Sequence, residues 1–329
     1  MNALIQHAHC RRQAQLQLLE FLHANTLARL NPLAGRIWAA LLSLLLFSQP
    51  ALAETDIDER RDVQPEGRVE VINISGEVEV SGWDRDEVHV TGSLGRGVER
   101  LDFVVDGNAT RIEVIYPKSG RSEGSDLEIK IPHSSSLDVR TVSASIKAEE
   151  VDGRQWLSSV SGDVTSDRYG SDLEAETVSG SVDVSGTGQQ AVLSLKSVSG
   201  NIYAEDVNGE LEAGSVSGRI EVEGGMLDRA RLGTTSGRIS IDGGLSSGGR
   251  YDLTTTSGRI IVNLDHDEDL DVDAQSFSGR IENCFGVEAE REGYSPQRSL
   301  RYRVGEGDRT VRIRTMSSRI EICADAVSG

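Results

Sequence analysis

The feature that most constrains the fold is an eight-residue phrase that recurs along the second half of the chain. "TVSGSVDV" begins at residue 177, and related phrases begin at residues 197, 215, 234, 255, 276 and 315. From Gly162 to Gly279, the glycines of the Ser-Gly pairs follow one another at steps of 18, 20, 18, 19, 21 and 21 residues, and a degenerate copy has Ala144 at this position. A period near twenty with small slips is typical of stacked coils whose turns absorb the extra residues. The repeat therefore predicts an all-β protein, a β-solenoid or β-helix with coils of about 18–21 residues.

Each coil should contain two short strands around a Ser-Gly corner. Leu173 and Ala175 alternate with glutamates before one corner, and Val182 and Val184 alternate with polar residues after it. The apolar positions change phase across the corner, so a bend must separate the two strands. We expect the glycine to supply a positive φ angle and the serine to hydrogen-bond backbone groups. The predicted corner residues are Ser161, Gly162, Ser179, Gly180, Ser199, Gly200, Ser217, Gly218, Ser236, Gly237, Ser257, Gly258, Ser278 and Gly279.

The serines of stacked corners would form a ladder, which raises the question of catalysis. After residue 53 the histidines are His89, His133 and His266, and none lies at a fixed offset from the phrase. A repeated nucleophile without a repeated base is not catalytic machinery. The acidic segment "NLDHDEDLDVDA", residues 263–274, matches no calcium-loop spacing. We therefore predict no catalytic residue, no enzyme activity, no metal site and no cofactor.

The start of the chain has the pattern of an export signal. An uncharged apolar run at residues 37–47 follows Arg36, and Ala51-Leu52-Ala53 has the small-x-small pattern that signal peptidase cleaves. We expect residues 1–53 to be a signal peptide with a long basic region, cleaved after Ala53, and the protein to reach the periplasm, the cell surface or the extracellular space. Residues 54–66 would be a charged tether, residues 67–133 an N-terminal β region that starts and caps the solenoid, and residues 134–326 the repeats.

The expected mature chain is strongly acidic. Residues 54–329 contain 30 Lys and Arg and 52 Asp and Glu, a formal charge of −22. This charge argues against nucleic acid and anionic membranes as bulk partners, and the cleaved chain would not be an integral membrane protein. Against this background, an arginine follows the corner directly in five copies: Arg219, Arg238, Arg259, Arg280 and Arg319.

This arginine ladder has two interpretations. It forms an anion-binding stripe for phosphates or carboxylates, or it is a solvated row neutralised by glutamates two residues further on. Glu221, Glu282 and Glu321 occupy that position, but Ser240 and Ile261 follow Arg238 and Arg259.

The two cysteines of the repeat region predict which coils are neighbours. Cys284 and Cys323 each lie five residues after the last residue of their corner, Gly279 and Ser318. A disulfide needs Cα atoms one strand spacing apart, and exported proteins meet oxidising conditions. We therefore predict a Cys284–Cys323 disulfide between adjacent coils, with an insertion near residues 287–309. Free thiols or a metal pair are the alternative.

"INISGEVEVSGW" at residues 72–83, followed by the array of "TVSGSVDV"-type phrases behind a signal peptide, resembles the exported bacterial putative-adhesin family with β-strand repeats, a domain-of-unknown-function family. The resemblance covers residues 67–326 and implies a β-solenoid with an envelope or surface role, without catalytic residues to transfer.

We expect a non-enzymatic adhesin or envelope-binding protein, whose partner is an envelope component, a surface glycan or another envelope protein. A periplasmic scaffold or accessory partner of an envelope-stress or signalling system is the first alternative. A polysaccharide-active β-helix enzyme is the remote one, because most turns are too short to wall a cleft.

Overall fold

The computed structural model describes residues 54–263, 269–291 and 293–323, and side chains only as far as residue 322 at the C-terminal end. The expected signal peptide and residues 264–268 of the acidic segment lie outside these ranges. Within them the chain forms one 25-stranded β-sheet system, and no helix there is long and apolar enough to cross a membrane.

The central coils build the β-solenoid that the repeat predicts. Strands before a corner pair in parallel with strands before the neighbouring corners, and strands after a corner do the same; β10, for example, pairs with β8 and β12, and β11 with β9 and β13. The central strands are β8 Ser136–Thr141, β9 Ser145–Glu149, β10 Gln155–Ser158, β11 Val164–Asp167, β12 Leu173–Thr177, β13 Val182–Ser185, β14 Gln190–Ser197, β15 Ile202–Glu205, β16 Asn208–Ser215, β17 Ile220–Thr234 and β18 Ile239–Thr255.

The core lies between the strands that precede the corners and the strands that follow them, and it follows the predicted alternation. Leu173 and Ala175 before the corner and Val182 and Val184 after it are all buried. Each buried Val, Leu or Ile stabilises the fold by roughly 1.5–3 kcal/mol relative to exposure. A single coil has too few such residues to fold alone, so stability depends on stacking.

At the N-terminal end the stacking order departs from the chain order. Strands β2 and β3 lie between the coil of β6 and β7 and the coil of β8 and β9, in parallel with both. Antiparallel strands then cover the outer rung: β5 pairs with β6, and β4 pairs with β7 and β1. The strands are β1 Thr55–Asp62, β2 Arg68–Asn73, β3 Gly76–Trp83, β4 Glu87–Leu94, β5 Arg100–Asp106, β6 Ala109–Ile115 and β7 Ser125–Pro132.

The segment expected to be a charged tether is instead largely a strand. All eight residues of β1 pair with β4. Its charged side chains suit an exposed edge, because charges on an edge strand discourage pairing with other chains.

The C-terminal end repeats this arrangement, which the chain order does not predict. Strand β24 lies between β18 and β20, and β25 lies between β19 and β21, so the last coil is inserted between the coils of Gly258 and Gly279. The coils of Gly279 and Ser318 are neighbours, as the cysteine spacing predicted. The strands are β19 Ile260–Asn263, β20 Leu270–Ser276, β21 Ile281–Asn283, β22 Glu290–Arg291, β23 Arg298–Val304, β24 Arg309–Thr315 and β25 Ile320–Cys323.

The predicted insertion near residues 287–309 covers the outermost rung. Strand β23 pairs antiparallel with β20, and β22 pairs antiparallel with β23. Phe285 and Tyr302 stack with their ring centroids 4.3 Å apart and pack against the core. Both ends of the solenoid are therefore closed by antiparallel strands beside a parallel rung.

Candidate binding surface along the Ser-Gly corner

Close backbone approach, rather than a positive φ angle, explains the corner glycines. None of the seven repeat glycines from Gly162 to Gly279 has a positive φ, so that expectation was wrong. A Cβ atom on Gly200 would instead overlap the carbonyl oxygen of Gly180 in the neighbouring coil, and one on Gly218 would overlap that of Gly200. Any side chain at these positions would push adjacent coils apart.

The two corner positions without glycine lie where the stacking order changes. The coil of Ala144 abuts β2 and β3, and the coil of Ser318 is the one inserted near the C-terminal end. The Ser318 hydroxyl is buried and makes no hydrogen bond within the described residues.

The hydroxyl that holds each corner lies three residues before the glycine, not directly before it. The Gly180 backbone N–H donates to Thr177 Oγ1 at 3.2 Å, and that hydroxyl donates to the Gly162 carbonyl of the next coil at 3.1 Å. Equivalent N–H donations of 2.8–3.2 Å occur at all seven repeat glycines, from Ser159, Thr177, Ser197, Ser215, Thr234, Thr255 and Ser276. Of the predicted corner serines, Ser257 and Ser278 also donate to backbone carbonyls, at 3.3 and 3.2 Å, but the glycine N–H is bound by the earlier hydroxyl at all seven corners.

The serines directly before the repeat glycines, and Ser317 directly before Ser318, are exposed and form the expected ladder. This set is Ser161, Ser179, Ser199, Ser217, Ser236, Ser257, Ser278 and Ser317. Two described histidines lie elsewhere: His89 bonds Asp58 at 2.8 Å, and His133 Nδ1 lies 2.7 Å from the Glu150 carbonyl oxygen. His266 lies outside the described residues.

An exposed apolar row, which sequence reasoning missed, runs beside the serines. Backbone hydrogen bonds link one corner to the next along it, such as Val178 N–H to the Val160 carbonyl at 3.2 Å. Six consecutive members are 42–47 % exposed: Ile74, Val142, Val160, Val178, Val198 and Val216. The row continues through Thr235, Thr256, Met316 and Phe277. In the sequence, the apolar second residue of each "TVSG" phrase indicated this row, because its position does not belong to the alternating set of inward-facing residues.

The arginine ladder occupies five consecutive rungs in the spatial order Arg219, Arg238, Arg259, Arg319 and Arg280. All five side chains are exposed. The inserted coil exchanges the last two members relative to the chain order. At about 4.8 Å between strands, the five positions extend over roughly 19 Å.

The ladder is only partly neutralised. Arg219 lies 3.7 Å from Glu221 on its own strand, and Arg319 lies 3.4 Å from Glu321. Arg259, which has no glutamate on its strand, comes within 3.9 Å of Glu321 in the inserted coil. Among the residues that the structure describes, Arg238 and Arg280 have no carboxylate within 4.0 Å.

Basic residues in the N-terminal half are paired more completely. Lys147 lies 2.7 Å from Glu149 and 3.0 Å from Glu79, and these hydrogen bonds raise its pKa above the usual range. Residues 54–209 contain 15 Lys and Arg and 31 Asp and Glu, whereas residues 210–329 contain 15 and 21. The incompletely paired ladder thus lies in the less acidic half.

The backbone places the two cysteines in register. Asn283 pairs with Ile322, and the Cys284 N–H donates to the Ile322 carbonyl at 3.0 Å, so the next positions, Cys284 and Cys323, face each other on adjacent strands. The Cys323 side chain lies outside the described part, and the disulfide remains a prediction.

Comparisons with solved structures give low sequence identity. The chain aligns over 82 % of its length with 100 % of a "putative cell adhesion protein" from Clostridium sporogenes, at 11 % identity and a TM-score of 0.25. It also aligns over 82 % with 97 % of a "putative adhesin" from Parabacteroides distasonis, at 10 % identity and a TM-score of 0.35, and with 96 % of one from Parabacteroides merdae, at 8 % and 0.28. No curated protein sequence matches the chain.

The family comparison is more extensive. The family described as Toastrack DUF4097 matches residues 71–323, which include the strands from β2 to β25 except the first three residues of β2. The match confirms the resemblance noted from "INISGEVEVSGW" and the "TVSGSVDV" phrases. The chain belongs to the Toastrack DUF4097 family.

Proposed function

We propose that this protein is an exported, non-enzymatic β-solenoid that acts as an adhesin or envelope-binding protein through its corner surface. The observation that carries the proposal is the arginine ladder: five exposed guanidinium groups on consecutive rungs, of which Arg238 and Arg280 have no carboxylate within 4.0 Å in the described part of the chain. Guanidinium groups bind carboxylates and phosphates with paired hydrogen bonds, so a regularly spaced row suits a polyanionic partner.

The ladder also explains how so acidic a protein would bind a polyanion. The surrounding acidic charge repels anions at long range, and this repulsion is screened over about 8 Å at physiological ionic strength. Short-range contacts at the ladder would then decide binding. A surface glycan or the anionic head groups of an envelope lipid fit this chemistry.

Binding of the purified protein to peptidoglycan, outer-membrane lipid and intact cells across a salt series tests the proposal. We expect saturable binding to one fraction, and we expect salt to weaken it. The double variant Arg238→Ala/Arg280→Ala should bind that fraction about tenfold more weakly than the wild type, or weaker still. Arg154→Ala, which removes an exposed ion pair with Asp172 at 3.2 Å, is the matched control and should bind normally. Binding of the double variant at wild-type strength would refute the role of the ladder.

A second candidate function is a periplasmic scaffold or accessory partner of an envelope-stress or signalling system. The exposed row from Ile74 to Val216 favours it, because contiguous exposed apolar side chains are typical of protein interfaces. Asp substitutions at Val178 and Val198 would abolish capture of a protein partner and leave anion binding unchanged.

Export and the disulfide belong to the same proposal. We expect N-terminal sequencing of protein recovered from the periplasm or the medium to begin at Glu54.

A Cys284–Cys323 bridge would clamp the inserted coil, and the 39-residue separation predicts a stabilisation of about 3–4 kcal/mol. Thiol titration of the unfolded protein should find no reactive thiol until reductant is added.

A further inference from the structure

A shallow trough lies on the sheet of strands that precede the corner, in the C-terminal half. It has a volume of about 300 Å³ and is lined by Arg231, Asp252, Leu253, Thr254, Arg312 and Arg314. We call it the arginine trough. It is separate from the arginine ladder, which follows the corner.

Strand register sets the geometry of the trough. Arg231 on β17, Asp252 on β18 and Arg312 on β24 share one row, and Gly233, Thr254 and Arg314 share the next row towards the corner. Two strand spacings separate Arg231 from Arg312, about 10 Å. Arg231 and Arg312 therefore flank the trough with Asp252 between them, and Thr254 lies one row nearer the corner, beside Arg314.

Two glycines extend the floor of the trough along the same row. Gly214 and Gly233 occupy outward positions on β16 and β17, and a Cβ atom on either would have nothing within 4 Å. Neither has a positive φ. Glycine weakens a strand, and in a strand it often marks a place where a ligand approaches the backbone. Packing within the fold does not explain these two glycines.

The charges in the trough are incompletely satisfied. The Arg231 guanidinium lies 3.9 Å from the Glu212 carboxylate, and the Asp252 carboxylate lies 3.0 Å from the Arg250 guanidinium. Within the described ranges, Arg312 and Arg314 have no carboxylate within 4.0 Å and make no side-chain hydrogen bond. Their donors remain available to an external oxyanion.

The opposite side of the trough has a different character. On its corner side, the trough is bordered by four members of the exposed row: Val216, Thr235, Thr256 and Met316. A ligand would thus contact methyl groups and hydroxyls on one side and guanidinium groups on the other. A sugar ring offers C–H faces and hydroxyls, and an acidic sugar adds a carboxylate or sulfate. The open floor offers an acyl chain no enclosed apolar volume.

We propose that the arginine trough binds an acidic saccharide, with sugar rings over Gly214 and Gly233 and its anionic groups on Arg231, Arg312 and Arg314. This inference rests on the proposed function and specifies its ligand class. The trough and the ladder lie on either side of one corner, so a single glycan chain crossing the corner would reach both.

Isothermal titration of the purified full-length protein with tetragalacturonate tests the inference. We expect saturable binding, at least tenfold weaker binding of the fully methyl-esterified tetrasaccharide, and weaker binding of inorganic sulfate than of the saccharide. Binding of sulfate as tightly as the tetrasaccharide would overturn a saccharide site. Equal binding of the esterified sugar, or no binding of tetragalacturonate, would also overturn the proposal.

Two variants locate the site. Arg312→Gln/Arg314→Gln should weaken tetragalacturonate binding at least tenfold by removing charge. Gly214→Val/Gly233→Val should weaken it similarly by filling the trough, without lowering the unfolding midpoint, because valine favours strands and the space is open. Arg154→Gln should bind normally.

The result is distinguishable from failure of the proposed function. If both trough variants bind tetragalacturonate normally while Arg238→Ala/Arg280→Ala does not, the trough inference is wrong and the ladder proposal stands. If envelope fractions are bound but tetragalacturonate is not, the saccharide assignment alone fails.

Discussion

At the scale of single residues, glycines in this protein have two different roles that a matched pair of substitutions separates. An alanine at Gly200 would force its Cβ against the Gly180 carbonyl of the next coil, whereas an alanine at Gly214 would enter open space. We expect Gly200→Ala to lower the free energy of unfolding by at least about 1–3 kcal/mol. Gly214→Ala should leave it unchanged or raise it by roughly 0.4–1 kcal/mol, because the unfolded chain loses freedom. Urea denaturation of both variants measures the difference, and equal effects would contradict the close-approach explanation.

At the scale of strands, the inserted coil at the C-terminal end predicts an unusual pattern of protection of backbone amides from hydrogen exchange. The last strands, β24 and β25, are interior rungs, while β20 and β21 form the outermost parallel rung although they come earlier in the chain. Outer rungs and chain ends open most readily in stacked proteins. We therefore expect the amides of Ile313 and Ile320 to exchange hydrogen more slowly than that of Ile281. Hydrogen exchange followed by mass spectrometry tests this, and faster exchange in β24 and β25 would show that the stack follows the chain order.

The same strands show how far the sequence could predict the fold and the site. The coils were predictable because alternation and period are local, as at Leu173 and Val182. The position of the last coil between the coils of Gly258 and Gly279 was not predictable. The step from Gly258 to Gly279 is 21 residues, the same as the step before it, so the spacing indicates no interruption. Only the cysteine spacing indicated which coils meet. For the same reason, Glu321 could not be foreseen as the partner of Arg259, and the trough combines outward residues from strands distant in sequence.

At the scale of the whole molecule, a solenoid in which each central coil contacts only its neighbours should tolerate the loss of one complete coil. Removing residues 163–180 joins Gly162 to Ser181, so that β13 takes the place of β11 beside β9, and β14 takes the place of β12 beside β10. The inward alternation and the corner are preserved. We expect a folded protein with an unchanged circular dichroism signal per residue and a free energy of unfolding reduced on the order of a few kcal/mol.

Removing half a coil should have a different outcome, which makes it the matched control. Deletion of residues 172–180 removes β12 and leaves β11 and β13, parallel strands on the same sheet, joined by only five residues, 168–171 and Ser181. Parallel neighbours need a connection of about a dozen residues or more, so one of the two strands must leave the sheet. We expect this shorter deletion to destabilise the protein far more than the longer one, measured by thermal unfolding and size-exclusion chromatography. If the two deletions were equally tolerated, stability would not depend on complete coils, and the nearest-neighbour account of this solenoid would be wrong.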